Sequence, residues 1–384
     1  MLGLKLFASF NKTRQTSGNE LQDKFQKTVG AWRLRFMELT QRPFSCNTYL
    51  LPKAWYRCHV VPLRVGDEDN LKKQVNSFVF IDQGEKPKDF TKYSARKNGG
   101  LGMHCIKYKA KAMLLKNFLE MAANPKFIGS LLYKAIFQHY VTGETNTPVP
   151  QLPMAIKYSD NFFSEIKAAV TDGLEVATMS SKEWYQYLLE KYVFKFPDVQ
   201  QDGSHIQRTV QHKCEEKLLS SNWTRTWQRA NAKILRSSGR SFMFRILHDL
   251  HRTGERESKT NRSVMSPHCT LCNTNSIDNI MEHTFTCAFN NNAMNWLVSK
   301  IKAVDPTIYP QKLLLLDFEA SNDIICMACT WIISETLSFV WARRKQKKQT
   351  NLTDLVGTLQ INAKVLGTSN SFQNVGKMIL NMLE

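Results

Sequence analysis

Cys269, Cys272, His283 and Cys287 place four metal-ligating side chains in the spacing C-x2-C-x10-H-x3-C. A C-x2-C turn lets two thiolates reach one ion, and a short helical return sets a histidine and a cysteine one turn apart on one face. A chain bound by this pattern must wrap residues 269–287 around a single point. The spacing therefore predicts a small CCHC knuckle with zinc as cofactor and these four residues as ligands. The competing account is two surface thiols, one buried thiol and a core histidine, which need no metal in a reducing compartment. His268 stands beside Cys269 as a further candidate, but adjacent residues rarely both point at one ion.

The segment leading into the knuckle is basic. Between Arg208 and Arg262 there are 13 Lys or Arg against 5 Asp or Glu, interleaved with Trp223 and Trp227. Phosphates take charge and unstacked bases take rings, so this composition suits single-stranded nucleic acid, with Arg240, Arg245, Arg252, Arg256 and Arg262 as phosphate contacts. A solvated helix face gives the same composition. The whole chain has 52 Lys+Arg against 33 Asp+Glu, a net charge of +19 that makes RNA or DNA the default partner and an acidic membrane surface the alternative. Nine cysteines without a regular framework favour the nucleus or cytoplasm over secretion. The first residues do not read as a signal peptide, and no run approaches about 18 uninterrupted apolar residues, so no membrane span is expected.

The periodicity elsewhere predicts a mainly α, multi-domain helical architecture with few short strands. Residues 1–10 alternate as a short strand. Leu21, Phe25, Val29, Trp32, Phe36 and Leu39 mark an amphipathic helix over 20–39, and an aromatic helical run follows at 48–61. Asp67, Glu68 and Asp69 suit a helix N-terminus better than a catalytic metal. Gly99-Gly100-Leu101-Gly102 permits a tight turn or a close backbone approach. A Lys-rich helix at 105–124 ends at Asn124-Pro125, and another helix spans 128–140. Two more lie within 160–196, broken near Gly173. The most apolar helix, 324–340, carries Cys326-x2-Cys329, read as buried thiols. The block Arg343, Arg344, Lys345, Lys347, Lys348 suits a nuclear-import signal, a phosphate contact or a charged helix end. Pro/Thr-rich and polar linkers divide the chain into 1–145, 146–204 (linker and helical connection), 205–300 (basic arm and zinc module) and 301–384 (helical).

Several chemistries lack their residues. No Asp-Asp pair is present for a two-metal polymerase, and no phosphate-binding loop, nucleophile elbow or H-E-x-x-H occurs. Asp198 with Glu215-x-Lys217 imitates a nuclease set, but the latter pair falls in a helical pattern rather than on a strand.

Together the motifs resemble the region C-terminal to the catalytic palm in reverse transcriptases of LINE-type (non-LTR) retrotransposons. The resemblance rests on Leu2-Gly3, Arg42, Asn47, Lys53-Ala54-Trp55-Tyr56, the Gly99–Gly102 turn with its Lys-rich helix, and Leu247-His248, Thr253 and Arg256 ahead of Cys269, Cys272, His283 and Cys287. It covers residues 1 to about 345 and is most specific at the glycine turn and from His248 to Cys287. It implies that residues 1–145 are thumb and post-thumb helices, with Lys107, Lys109 and Lys111 against nucleic acid. It further implies that the zinc module holds RNA or DNA, with the catalytic palm of a reverse transcriptase as a partner. Fingers and palm are missing, so the chain is expected to be non-catalytic alone, a fragment or remnant of an RNA-directed DNA polymerase. Phe80-Ile81-Asp82 departs from the family's Phe-x-Trp. A zinc-stabilised helical scaffold for an acidic protein is the alternative function.

Overall fold

The computed structural model describes residues 9–58, 61–81, 87–127, 129–143, 161–194, 222–260, 266–272 and 274–384. It is mainly helical. Among the described residues there is no strand, only an isolated antiparallel bridge between His268 and Ile277. The strand expected at the N-terminus and the Leu2-Gly3 pair lie largely outside the described residues; Phe10 already begins a helix. The chain divides into two compact units, residues 1–93 with 102–196, and residues 94–101 with 197–384. Residues on both sides of 300 share one hydrophobic core, from Trp223 to Leu383.

The first unit opens with α1 (Phe10–Arg33), capped by the Ser9 hydroxyl, which accepts from the Lys12 N–H. Leu21, Phe25 and Val29 form its buried stripe, as the spacing predicts. The helix ends six residues earlier than that spacing suggests, leaving Leu34 and Phe36 89% and 92% exposed. A helical run continues through α2 (Gln41–Ser45), a wide turn at Cys46–Leu50 and α3 (Pro52–Cys58). The next helix, α4 (Val65–Val79), carries Asp67 in its first turn. Its carboxylate is buried, accepting from Arg64 at 2.7 and 2.9 Å and from Gln22 at 2.5 Å. Gly18 of α1 leaves the room, since a Cβ there would sit 2.3 Å from the Asp67 carboxylate. Asp67 thus fastens α4 to α1.

Beyond α5 (Asp89–Tyr93), the unit resumes with α6 (Ile106–Ala123) and α7 (Ser130–Phe137), then α8 (Phe162–Thr171) and α9 (Ser181–Tyr192). Leu115, Phe118, Phe162, Ile166, Trp184 and Leu188 make their common core. Within it lies Glu165, 1% exposed, accepting from Lys111 at 3.2 Å, Lys191 at 3.4 Å and the Tyr192 hydroxyl at 2.5 Å. A carboxylate this deep is tolerated because it is paired and hydrogen-bonded.

The second unit contains α10 (Trp223–Ala230), α11 (Ser237–Leu247), α12 (Gly254–Thr260), α13 (Asn291–Lys302), α14 (Pro310–Leu314), α15 (Asp323–Lys345), α16 (Leu352–Gly367) and α17 (Gln373–Leu383). Its spine is α15, whose Trp331, Ile332, Ile333, Leu337 and Val340 are all at most 1% exposed. The Cys329 thiol is pushed up to about 12, first by burial, while Cys326 is half-buried. By length and composition α15 is long and apolar enough to cross a membrane, with a mean hydropathy of 1.6 over its most apolar window. Of that window 61% is buried inside the unit. Thr330, the triplet Ser334-Glu335-Thr336 and Ser338 interrupt the apolar run without lowering its average below that value.

Residues 94–101 show why the glycine turn is made of glycines. Gly99 has φ +80°, and a Cβ on it would lie 2.4 Å from the Trp227 ring; one on Gly100 would lie 2.0 Å from the Ser94 carbonyl oxygen. The backbone is pressed against an indole, and phosphate has no part in the requirement. Gly99→Ala is expected to destabilise the protein by roughly 2–5 kcal/mol, combining left-handed strain with overpacking. Chemical denaturation measures this, and an unchanged midpoint would rule the close approach out.

Candidate metal centre

The four ligand-type residues converge. One donor atom from each of Cys269, Cys272, His283 and Cys287 lies within 4.8 Å of every other, and all the cysteines among the described residues are free. The local chain makes this happen in two steps. The Cys269 N–H donates to the Ser276 carbonyl at 2.9 Å and the Asp278 N–H to the Pro267 carbonyl at 2.8 Å, closing the loop that carries the first two thiols. A wide helical turn at Ile280–Thr284 then presents His283, and the Cys287 N–H donates back to the His283 carbonyl at 2.8 Å. The sequence expectation of one turn between them holds in that hydrogen bond. His283 Nε2 stands 3.1 Å from the Cys272 sulfur. Three sulfurs and an imidazole within this span could hold a metal ion, since the donors need only small movements to share one centre.

Electrostatics favours the anionic form at Cys269. Burial raises the Cys269 thiol, but the N–H groups of Leu271 and Cys272, Arg344 and His283 outweigh it and bring the thiol down to about 6. Cys287 goes the other way, raised first by burial and then by the neighbouring Cys269 and Cys272. The first proton leaves more easily than the next, because each new thiolate repels its neighbours.

Arg344 is the residue that sequence reasoning missed. It sits near the end of α15, 8% exposed, and donates to the Cys269 sulfur at 3.5 Å, the Cys287 sulfur at 3.8 Å and the Asp278 carboxylate at 2.6 Å. Asp278 also accepts from the Gly254 N–H at 2.9 Å and the Thr284 hydroxyl at 2.9 Å. Among the readings of the basic block, a solvent-facing phosphate contact does not apply to Arg344. The clue in sequence was an arginine directly following a long apolar helix, which alone does not identify its partner.

The residues expected to contact nucleic acid are distributed differently from the expectation. Trp223 and Trp227 are core residues, 6% and 3% exposed, so base stacking on them is excluded in this conformation. The helix bearing them is amphipathic and turns its rings inward, their planes tilted by 33° with centroids 6.0 Å apart. Lys111 is likewise corrected, being buried against Glu165. Lys109 is half-buried over the Tyr185 ring at 5.2 Å, and Lys107 is exposed. Arg256 bonds the Asp249 carbonyl and lies 3.9 Å from its carboxylate. Arg240 and Arg245 are half-buried, Arg252 is exposed, and Arg262 lies outside the described residues.

Two histidines near these arginines are held neutral. His248 Nε2 makes a 2.7 Å hydrogen bond with the Gly99 carbonyl oxygen. His251, 4% exposed, packs between Phe242 at 4.8 Å and Trp341 at 4.4 Å, and burial followed by the Arg245 charge pushes it down to about 3. A folded value below the unfolded one means that the unfolded chain binds the proton first as pH falls. The stability contributed by neutral His251 is therefore present above about pH 6.5 and lost progressively below it, on the order of 2 kcal/mol by pH 5. Thermal melts at pH 7 and pH 5 are expected to show that loss, and His251→Phe to reduce it. Equal pH dependence in the variant would contradict the assignment.

No family model matches this chain, and no curated protein matches it significantly.

Proposed function

We propose that this chain is a zinc-containing, nucleic-acid-binding region of a LINE-type retrotransposon reverse transcriptase, a multi-domain helical protein without catalysis of its own. The observation that carries the zinc assignment is the convergence of Cys269, Cys272, His283 and Cys287 within 4.8 Å, a Cys3His donor set of the kind that binds zinc tetrahedrally. Cys269, Cys272, His283 and Cys287 would hold a zinc ion with four protein donors, the set of a structural site, and Arg344 joins that cluster to the end of α15 through the Cys269 and Cys287 sulfurs and Asp278. The nucleic-acid assignment is supported by the net charge of +19 and by exposed cations at Arg252, Lys345, Lys347 and Lys348. In a cell this reading places the protein in the nucleus or cytoplasm, with RNA or DNA and the palm of a reverse transcriptase as partners.

The test is binding of single-stranded RNA, single-stranded DNA and duplex DNA over a salt series. Each phosphate contact contributes about −0.7 to −0.9 to the log-log slope. An affinity independent of salt would overturn the reading. One observation favours the second reading, a helical protein-interaction scaffold: Leu34 and Phe36 are 89% and 92% exposed in the first unit. If the wild-type chain captures no protein partner that Leu34→Ser with Phe36→Ser releases, while its gel shifts are salt-dependent, the scaffold reading is discarded.

A further inference from the structure

The buried Arg344–Asp278 pair beside the metal centre also forms one wall of a cavity of about 380 Å3 in the second unit. Arg252, Lys345 and Lys347 line it too, all three exposed, with Glu257 as the second carboxylate. The Arg344 charge is answered by Asp278 at 2.6 Å. Arg252, Lys345 and Lys347 form no side-chain ion pair or hydrogen bond among the described residues. The cavity therefore holds an excess of uncommitted positive charge, converging from α15, from the residues just past it and from the turn before α12. Such convergence favours one compact anion over an extended chain of charges.

The end of α15 is shaped to put a cation there. Lys347 has φ +55°, the left-handed conformation that closes helices and that glycine adopts without strain. Its N–H donates to the Arg344 carbonyl at 2.9 Å and the Lys348 N–H to the Arg343 carbonyl at 3.0 Å, completing the stop. A lysine at a position suited to glycine keeps an ammonium on the cavity rim at a cost in backbone strain, and strain of this kind is concentrated at functional positions. The rest of the lining includes the hydroxyl residues Ser266 and Thr270 and the indole of Trp341. Charge for a phosphate, hydroxyl groups for a sugar and an apolar wall are the features that a nucleotide requires, and the volume is in the range of a small-molecule site.

We infer that this cavity binds a single nucleotide through its phosphate, with Arg252, Lys345 and Lys347 as the phosphate contacts. The nucleotide is either free or the 5′-phosphorylated end of a strand. The inference deepens the nucleic-acid reading but fails separately from it, since a strand can still bind through other cations if this pocket is lost.

Isothermal titration of the full chain with a nucleoside monophosphate, the matching nucleoside and inorganic phosphate tests it. The monophosphate is expected to bind and the nucleoside to fail. Lys347→Gly removes the cation while relieving the backbone, so it is expected to weaken the monophosphate about tenfold, the effect of one charge-assisted contact, without lowering the melting temperature. Arg252→Gln is expected to act alike. Competition between 5′-phosphorylated and 5′-hydroxyl oligonucleotides then identifies the source: preference for the phosphorylated strand assigns a strand end, and equal weak competition with tight monophosphate binding assigns a free nucleotide. Absence of monophosphate binding, or equal binding by wild type and both variants, overturns the pocket. Salt-dependent oligonucleotide binding that persists in that case leaves the broader reading standing.

Discussion

Cys287→Ser is expected to yield protein without stoichiometric zinc and with its second unit markedly destabilised. Structural zinc contributes apparent binding energies of about 10–16 kcal/mol in isolated peptides, and here part of that energy would be linked to folding. A loss on the order of 5 kcal/mol would lower the melting temperature by about 10–20 °C in a unit of this size. Elemental analysis and thermal melts of wild type, Cys272→Ser and Cys287→Ser check it. Zinc content that is zero in the wild type would remove the metal assignment, and zinc retained in both variants would remove these ligands. The prediction is specific to this donor set: Cys329→Ser, outside it, should keep the metal.

The second large effect is expected at Arg344. Arg344→Ala would leave Asp278 and the thiol cluster in a buried site without their common cation, and removing one partner of a buried pair costs about 3–5 kcal/mol. The fall in melting temperature should be accompanied by weaker metal retention in a chelator titration, because the Arg344 guanidinium donates to two of the sulfurs. Arg344→Lys should recover only part, as one ammonium cannot reach both sulfurs and the carboxylate with a planar fork. Pairing Arg344→Met with Asp278→Asn should recover stability but not metal affinity. If Arg344→Ala alters neither property, the arginine is a bystander.

The extent to which sequence revealed these features follows from the range of the interactions. The helices read from apolar spacing, such as α1, α9 and α15, depend on residues three and four apart, and local sequence carries that signal. The four donors were legible for the same reason, since their spacing is itself local. Arg344 was not, because its partners Cys269, Asp278 and Cys287 lie far back in the chain. Trp223 and Trp227 misled in a characteristic way. A basic, aromatic segment reads alike whether the rings face bases or a core, and only tertiary packing decides. Lys111 carried the same ambiguity: a lysine on a Lys-rich helix looks solvated until Glu165 is found beside it. The early end of α1 escaped because Phe36 and Leu39 continue the period beyond the last helical residue.

The small insert at residues 94–101 has a consequence for how the chain acquires its structure. It belongs to the second unit, yet residues 102–196, part of the first, intervene before that unit resumes. On the ribosome this octapeptide emerges well before Trp227 and His248, the side chains it rests on. The loop that must close to bring them together is long, so its entropy cost is met late, when the more distal helices are available to repay it. A protein expressed from residue 197 onward would present the indole of Trp227 and the ring of His248 to water with their covering segment missing. Supplying residues 94–101 as a separate peptide should then act as a chaperone in trans, restoring native-like protection of those two rings.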